Sequence, residues 1–270
     1  MPVTESDIPE VFFEDGWIDA VEYLVSSGKE GTVYCCHAAP DTGHDRLAVK
    51  IHRGRTQRSF KNDAIYLSGR VAGVSLTGSA GIKASGKVDR RLSRAVAKRS
   101  RTGIAAIEQS WITYEYSTMQ ILHRAGARVP QPLTMSGHAM LMEFIGDAEG
   151  PAPKLKHVEL SAAEARQVAD ILVDEIALWL ANDRIHGDLS SFNVLYWDDA
   201  PAIIDFPQAV SPWDNPDARF LLERDVRNIA TWAGAYGIRL DHERITHHLW
   251  DGFVRGTLEA NPELQALSRW

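Results

Sequence analysis

Three polar side chains near residue 200 have the types and spacing that phosphoryl transfer requires. Asp188 and Asn193 lie on one predicted loop, and Asp205 directly follows a short apolar run. Residues 194–196 and 202–204 are typical of two short strands joined by a turn, so we expect a hairpin to bring Asn193 and Asp205 together. Two oxygen ligands suit Mg²⁺, which usually takes its remaining ligands from phosphate and water. The pattern predicts an ATP-dependent phosphotransferase in which Asn193 and Asp205 hold Mg²⁺ or Mn²⁺ and Asp188 faces the nucleophile.

The sequence motifs around these residues are similar to those of one family. The chain reads H-G-D-L-S-S-F-N from His186 and D-F-P-Q-A-V from Asp205. This combination resembles the RIO-type atypical serine/threonine protein kinases, in which Pro-Gln replaces the glycine that follows Asp-Phe in ordinary protein kinases. The resemblance implies an α+β, two-lobed, protein-kinase-like fold with a β-rich N-lobe and a mainly helical C-lobe. We see no winged-helix domain before the kinase core, so the sequence is more similar to the shorter branch of the family.

A glycine-containing loop and a lysine near the beginning of the chain are candidates for nucleotide binding. The loop joins two predicted strands, and its G-K-E-x-x-V-Y pattern is similar to that of the family. The resemblance implies nucleotide contacts from Gly28, Lys29, Glu30, Gly31 and Val33. Lys50 follows Ala-Val at the end of a third apolar strand, as in the V-A-I-K signature, and would contact the α- and β-phosphates. Its predicted ion-pair partner is Glu115, because family members carry a Glu before the A-G-x-x-V-P-x-P sequence.

A second nucleotide segment reads M-E-F-I-G from Met142 and is similar to the hinge of the family. An adenine ring needs a backbone acceptor and a backbone donor at fixed spacing, with apolar walls. The resemblance implies that the Glu143 carbonyl and the Ile145 N–H supply the two polar contacts, and that Met142 forms the back wall.

The order of these motifs predicts three regions along the 270 residues. Residues 1–20 are expected to be a weakly structured lead-in, 21–145 the N-lobe and 146–270 the C-lobe. Apolar periodicity predicts helices from Glu108 to Ala125 and from Ser161 to Asn182, and Ser161 with Glu164 predicts a capping box at the second. Asp225 lies in a later R-D-x-x-N segment, and the resemblance implies that it supports the backbone of the catalytic loop.

A basic insert, predicted to be flexible, occupies residues 53–108 of the N-lobe. It contains thirteen Lys or Arg and three Asp or Glu, a balance of +10 within a chain of net charge −7. This asymmetry indicates an anionic partner such as RNA or a ribosomal particle, although a solvated insertion explains the composition equally well. Its Gly-rich centre holds Ser75, Thr77, Ser79 and Ser85. These residues are either targets of autophosphorylation or ordinary linker composition.

Other features exclude several classes of protein. The sequence lacks both an apolar run of membrane-spanning length and a basic-then-apolar export signal, so we expect a cytoplasmic protein without a membrane partner. Cys35 and Cys36 are adjacent and would point to opposite faces of a strand, which argues against a mutual disulfide or metal pair. His242 and His247 resemble a zinc motif, but their spacing places them off a common helical face.

Two alternative functions remain open at this level. The first is a small-molecule phosphotransferase of the aminoglycoside or choline kinase type. The H-G-D-L and N-V-L motifs agree with this class, whereas the Pro-Gln after Phe206 and the basic insert agree with it less well. A nucleotide-gated module that docks on ribosomal particles fits the basic insert. Two features differ from ordinary protein kinases. Gly187 occupies the position of the Arg in their H-R-D motif, and only nineteen residues separate Asp205 from Asp225. A classical peptide-binding groove is therefore not expected.

Overall fold

The computed structural model describes residues 5–28, 31–52 and 100–258. These residues divide into two compact units. The first unit contains residues 5–28, 31–52, 100–117 and 131–144, and the second contains residues 118–130 and 145–258. The expected basic insert lies mostly outside the described residues, as do Ser75, Thr77, Ser79 and Ser85.

The first unit is built on one antiparallel sheet of five strands. The strands are β1 (Ile18–Ser27), β2 (Gly31–Ala38), β3 (Arg46–His52), β4 (Pro132–Ser136) and β5 (Ala139–Glu143). Their order across the sheet is β1-β2-β3-β5-β4. The two strands predicted around the glycine loop and the third predicted strand, which carries Lys50, are therefore confirmed as β1, β2 and β3.

The two faces of this sheet have different roles because side chains alternate along each strand. One face presents Tyr34, Val49 and Leu141 to a hydrophobic core. On β2, β3 and β5, residues that are directly opposite share a face. Val33 lies opposite Lys50, and Ala48 lies opposite Met142. Val33, Lys50 and Met142 thus belong to the face that does not line the core, whereas Glu143 lies opposite Leu47 on the core face.

The beginning of the chain differs from the weakly structured lead-in that we expected over residues 1–20. A 3-10 turn at Glu5–Asp7 is followed by helix α1 (Val11–Glu14), and β1 begins at Ile18. Ile8 and Phe12 both join the core of the first unit, and Phe12 is only 1% exposed. Ile8 lies in a bend before α1 and Phe12 lies within α1, so the burial of both is a tertiary contact with the sheet that local spacing does not predict.

A long helix, α2 (Arg101–Arg124), contributes residues to both units. It begins seven residues before the predicted start at Glu108, so the last part of the expected 53–108 insert is helical backbone. It ends one residue before the predicted end, where Gly126 adopts a positive φ of 85°. Glycine is favoured after a helix because it adopts this conformation without steric cost.

The second unit is mainly helical, as expected for residues 146–270. It contains α3 (Ala162–Ala181), α4 (Ala218–Gly234) and α5 (His242–Arg255), with a short hairpin formed by β6 (Val194–Trp197) and β7 (Ala200–Ile203). The predicted capping box is present: Ser161 and Glu164 exchange backbone-to-side-chain hydrogen bonds of 2.7 and 3.3 Å. The hairpin turn is tight because Asp198 and Asp199 both adopt positive φ. Positive φ at both central residues is typical of two-residue hairpin loops.

Two classes of feature are absent from the described part of the chain. None of its helices combines the length and apolarity that a membrane crossing requires. Within the same residues, no group of three or more His, Cys, Asp or Glu side chains is placed to hold a metal ion.

Candidate active site

The first unit contains a buried ion pair at the predicted position. The Lys50 ammonium lies 2.6 Å from Oε1 of Glu115, and the two side chains are 8% and 1% exposed. The partners come from β3 and α2, 65 residues apart in the chain. Nε2 of His52 lies 3.5 Å from Oε2 of the same carboxylate. A buried charge is costly unless it is paired, so the contact with Glu115 holds the Lys50 ammonium in place.

The predicted glycine loop is partly described. The Gly28 N–H donates to the Gly31 carbonyl at 2.9 Å, which closes the turn between β1 and β2, and Lys29 and Glu30 lie outside the described residues. A Cβ at Gly31 would lie 2.6 Å from the Ile51 carbonyl oxygen. Gly31 is therefore required for close packing of β2 on β3, and its local role is structural.

The M-E-F-I-G segment leaves the sheet at the end of β5. The Glu143 N–H donates to the Gln131 carbonyl at 2.9 Å, and the Glu143 carboxylate accepts from the Gln131 N–H at 3.0 Å. The Ile145 carbonyl accepts from the Ala152 N–H at 2.9 Å. The contacts of adenine with the Glu143 carbonyl and the Ile145 N–H remain predictions.

In the second unit, Asp225 of α4 binds the backbone on both sides of Asp188. Its two carboxylate oxygens accept from the Gly187 N–H at 2.7 Å and from the Leu189 N–H at 2.9 Å. Gly187 has a φ of 77°, which a glycine adopts readily. The predicted support of the catalytic loop by Asp225 is thus confirmed. Complete burial raises the pKa of Asp225 to about 7, and the two backbone N–H groups oppose that shift.

Two further α4 side chains bind carbonyls of the same loop. Nδ2 of Asn228 donates to the Leu189 carbonyl at 2.8 Å, and Arg224 donates to the Gly187 carbonyl. The N–H and C=O groups around Asp188 are therefore bound by one helical turn. The R-D-x-x-N pattern indicated Asp225, and it also contains both of these residues.

Asp188 itself remains exposed at the surface. Its surroundings remove part of its hydration, which raises its pKa; the Arg224 guanidinium lowers it and the Asp205 carboxylate raises it. A carboxylate with a raised pKa is a better proton acceptor than an ordinary aspartate. Nδ2 of Asn193 donates to the Asp188 carbonyl at 2.9 Å, so the two predicted residues are in direct contact.

The hairpin brings Asn193 and Asp205 to adjacent positions. Val194 lies opposite Ile203, and the Ile204 N–H donates to the Asn193 carbonyl at 2.9 Å. Asp205 has a φ of 72°, a conformation that is uncommon outside glycine and that recurs at functional sites. Because Nδ2 of Asn193 binds the loop, its Oδ1 faces away from that bond. One amide oxygen and one partly exposed carboxylate are hard oxygen ligands and fit Mg²⁺.

Sequence reasoning missed the part that His186 plays in joining the loop to the hairpin. This buried ring contacts the Ile204 carbonyl through Nε2 at 3.2 Å and accepts from the Asp188 N–H through Nδ1 at 3.3 Å. A proton on Nε2 satisfies both contacts. The ring packs against Phe206, with centroids 4.6 Å apart. His186 therefore lies between the backbones of Asp188 and Asp205, and the H-G-D motif was the available signal.

Sequence reasoning also missed a role for Glu175 of α3. One carboxylate oxygen accepts from the Arg128 N–H at 3.0 Å and from the Trp179 indole at 3.1 Å. The Arg128 carbonyl accepts from the Ile203 N–H at 2.7 Å, so Glu175 connects through one backbone unit to the strand before Asp205. Burial raises the pKa of Glu175. The signal in the sequence was a charged residue within the apolar series of a helix.

These features define a phosphotransferase of the protein-kinase type. A buried lysine–glutamate pair on an antiparallel sheet belongs to one unit. The other holds an aspartate and an asparagine on one loop, with a second aspartate after a hairpin. The same combination is the recurring apparatus of kinases. The deviations from ordinary protein kinases are Gly187 and the Pro-Gln after Phe206.

Comparisons with known proteins agree with this class. The RIO domain family matches residues 77–245. Rio1 of Thermoplasma acidophilum, a RIO-type serine/threonine-protein kinase, is 32% identical over 139 residues, which are 52% of this chain and 72% of that protein. Rio1 of Haloferax volcanii is 28% identical over 86% of this chain and 69% of its own length. Human RIO1 is 27% identical over 90% of this chain, which spans 40% of the human protein.

A solved structure shows the same fold. The Rio2 kinase of Chaetomium thermophilum, crystallised as an ADP/Mg²⁺-phosphoaspartate complex, matches 96% of this chain and 72% of its own with a TM-score of 0.60 at 19% identity.

The family model and the sequence relatives show that the chain belongs to the RIO domain family and is an enzyme of the RIO-type serine/threonine kinase class. The predicted family and kinase-like α+β fold are confirmed.

Proposed function

We propose that this chain transfers the γ-phosphoryl group of ATP, in the presence of Mg²⁺ or Mn²⁺, to a serine or threonine hydroxyl of a protein, or to water. The observation that supports this most strongly is the double contact of Asp225 with the N–H groups on either side of Asp188. Such fixation has a clear purpose if Asp188 must meet a reacting group at a defined position, since misplacement by about 1 Å can cost two orders of magnitude in rate.

In the first unit, Lys50 is the proposed ligand of the α- and β-phosphates, and Glu115 keeps its ammonium in place. Gly28, Lys29, Glu30, Gly31 and Val33 are proposed to border the phosphates. Met142, Glu143 and Ile145 are proposed to bind adenine. In this arrangement the protein supplies position and positive charge, which are its main contributions to phosphoryl transfer.

In the second unit, Asn193 and Asp205 would hold the metal ion through Oδ1 and a carboxylate oxygen. When bound, Mg²⁺ supplies neutralisation of phosphate charge. Asp188 orients the acceptor hydroxyl and receives its proton as the new P–O bond forms and the bond to the β-phosphate breaks, releasing ADP. Its raised pKa favours this role because the carboxylate then accepts the proton more readily.

The test is ATP turnover by the purified protein with and without Mg²⁺. Asp205→Ala should lose metal-dependent nucleotide binding. Asp188→Ala should keep nucleotide binding and lose about 10²–10⁴-fold in turnover, because a general base acts mainly in the transition state. Asp251→Ala is a matched control, since Asp251 is a surface residue paired with Arg255 on α5. Absence of both nucleotide binding and turnover in the unaltered protein would refute the proposal.

Autophosphorylation of the basic insert is a further part of the proposal. Ser75, Thr77, Ser79 and Ser85 belong to the same chain as the site, and tethering gives an effective concentration of about millimolar. Each phosphate would change the local charge by about −1.5 to −2 and weaken contact with RNA or a ribosomal particle. Mass spectrometry after incubation with Mg-ATP decides this point. Phosphate only outside residues 53–110, or equal phosphate in Asp188→Ala protein, would refute it.

A further inference from the structure

Beside the catalytic loop lies an exposed aromatic ring to which the proposed chemistry gives no role. Phe192 directly precedes Asn193 and is 51% exposed. The Lys156 ammonium lies 5.8 Å from the centre of its ring, a cation–π contact. A single exposed apolar residue is ordinary on a protein surface. Phe192 is of interest because of its location next to a proposed metal ligand and its contact with a cation.

The segment that carries this lysine is fixed to the catalytic region by its backbone. We call residues 154–157 the basic turn; Lys154, Lys156 and His157 are all exposed in it. The Lys156 N–H donates to the Ser191 carbonyl at 3.0 Å, and Lys154 forms an isolated bridge with Leu195 of β6. Leu155 is fully buried between the two lysines. The backbone of both lysines therefore has a set position relative to the loop, which keeps their charged ends near it and reduces the backbone entropy lost when a partner binds.

We propose that Phe192 and the basic turn dock an acidic segment of a protein substrate next to its acceptor hydroxyl. The inference rests on the proposed kinase function and names the substrate class. Asp188, the proposed proton acceptor, lies four residues before Phe192 in the chain. Asn193, the residue directly after Phe192, donates to the Asp188 carbonyl. A substrate whose hydroxyl faces Asp188 thus places its flanking residues near Phe192. The two lysines complement carboxylates there, and the ring offers an apolar contact for the chain between them.

The small size of this surface agrees with the short segment between Asp205 and Asp225. A classical peptide groove needs a long activation segment, and nineteen residues are too few. A ring and two lysines can hold a few residues of a loop on a folded substrate without such a groove. This surface therefore selects by local charge rather than by an extended sequence.

Single-stranded RNA is the other macromolecule that cations and aromatic rings attract, and the geometry favours it less. RNA-binding grooves present several aromatic side chains on which successive bases stack, along a positive track for the backbone. The surface described here has one phenyl ring, that of Phe192, and the imidazole of His157. A phosphate chain crossing it would also approach the carboxylates of Asp188 and Asp205, whereas a substrate hydroxyl at Asp188 is neutral.

The experiment measures binding of two fluorescent twelve-residue peptides to the full chain without ATP, by anisotropy at low salt. Both contain one central serine, flanked by Glu in one peptide and by Lys in the other. The acidic peptide should bind more tightly. Lys156→Glu should weaken it about tenfold, as expected for reversal of one exposed charge contact, and should improve binding of the basic peptide. Phe192→Ala should weaken the acidic peptide about threefold.

Two matched variants control for net charge and exposed aromatic surface. Arg239→Glu makes the same charge change at an exposed position between α4 and α5, and Phe220→Ala removes a ring that is also 51% exposed, on α4. Both should leave peptide binding within twofold of the unaltered protein. In phosphorylation assays, Lys156→Glu should raise KM for the acidic peptide while kcat and peptide-independent ATP turnover change less than twofold.

Several results would overturn the docking surface. These are equal binding of the two peptides, no binding of the acidic peptide up to millimolar concentration, or equal effects of Lys156→Glu and Arg239→Glu. Tighter binding of a single-stranded oligonucleotide than of the acidic peptide, with that preference lost in Phe192→Ala, would assign the surface to RNA instead. Lack of ATP turnover in the unaltered protein would refute the proposed function alone, because peptide binding is measured without ATP.

Discussion

The buried charges of the two units are used in different ways. In the first unit, Lys50 and Glu115 are both buried and contact each other directly, so the proposed phosphate ligand is itself a member of the pair. In the second unit, Asp188 is exposed and Asp205 is partly exposed. The carboxylate of Asp225 is buried there, and it binds backbone N–H groups instead of a cation at the reacting position.

The difference follows from the length of the side chains. A lysine ammonium ends a flexible four-carbon stem, so a defined position requires a partner at the charged end. An aspartate carboxylate is one carbon from the backbone, so fixing the backbone nearly fixes the carboxylate. The first unit therefore positions charge by an ion pair, and the second positions it through the main chain. Each mode predicts a different response to substitution.

The largest stability effect is expected from Lys50→Met. The change leaves the Glu115 carboxylate buried without its ammonium partner, and should lower the free energy of unfolding by about 3–5 kcal/mol. Lys50→Met combined with Glu115→Leu should restore most of this stability, because an apolar pair of similar volume replaces the charges. Neither protein should bind ATP with normal affinity. Chemical denaturation and calorimetric titration with nucleotide measure both quantities.

His52 lies 3.5 Å from the Glu115 carboxylate, so all variants are compared at one fixed pH. A double variant as unstable as Lys50→Met would show that the pair is needed for packing of the unit as well as for the ligand. Asp188→Ala is a useful contrast, since removal of that exposed carboxylate should change stability by less than about 1 kcal/mol.

A smaller loss of stability is expected from Asp225→Asn. The amide oxygen can accept from only one of the two N–H groups, and the other remains buried opposite an NH₂ group. The free energy of unfolding should fall by about 2–4 kcal/mol, and turnover should fall although Asp225 meets no substrate. Urea denaturation and kcat with Mg-ATP test the two effects. Normal turnover in a folded Asp225→Asn protein would refute positioning through the backbone.

The same variant has a predicted pH signature. The pKa of Asp225 is raised from 3.8 in the unfolded chain to about 7 in the fold, so the folded protein keeps a proton that the unfolded chain releases. Its contribution to stability is fully present below about pH 4 and falls as pH rises towards 7. The unaltered protein should therefore exceed Asp225→Asn in stability by more at pH 5 than at pH 8. An equal difference at both values would contradict the raised pKa.

The smallest effect is expected at Glu175, where the chain offers an internal control. Because one oxygen accepts both hydrogen bonds, Glu175→Gln can keep both, and stability should change by less than about 1 kcal/mol. Burial raises the pKa of this carboxylate, so the neutral amide should be at least as stable at pH 8. Glu175→Leu should cost about 2 kcal/mol and lower turnover. Equal turnover in the two variants would remove Glu175 from the positioning of Asp205.

The sequence by itself determined the parts whose partners are local or whose order is distinctive. The grouping of Asp188, Asn193 and Asp205 was predictable because Asp188 and Asn193 share one loop and a short hairpin brings Asp205 next to Asn193. The capping box was predictable because Ser161 and Glu164 are only three residues apart. Strand positions followed from runs of apolar residues. Such features depend on backbone geometry over a few residues, which composition and spacing reveal directly.

Only the tertiary structure decided which buried groups meet across long stretches of chain. The contacts of Glu175 with Arg128 and of Asp225 with Gly187 span 47 and 38 residues. Packing of Phe12 on the sheet also had no local signal strong enough to replace the expected lead-in. A buried carboxylate must find hydrogen-bond donors or a cation, but the fold, and not its neighbours in sequence, determines which donors are near.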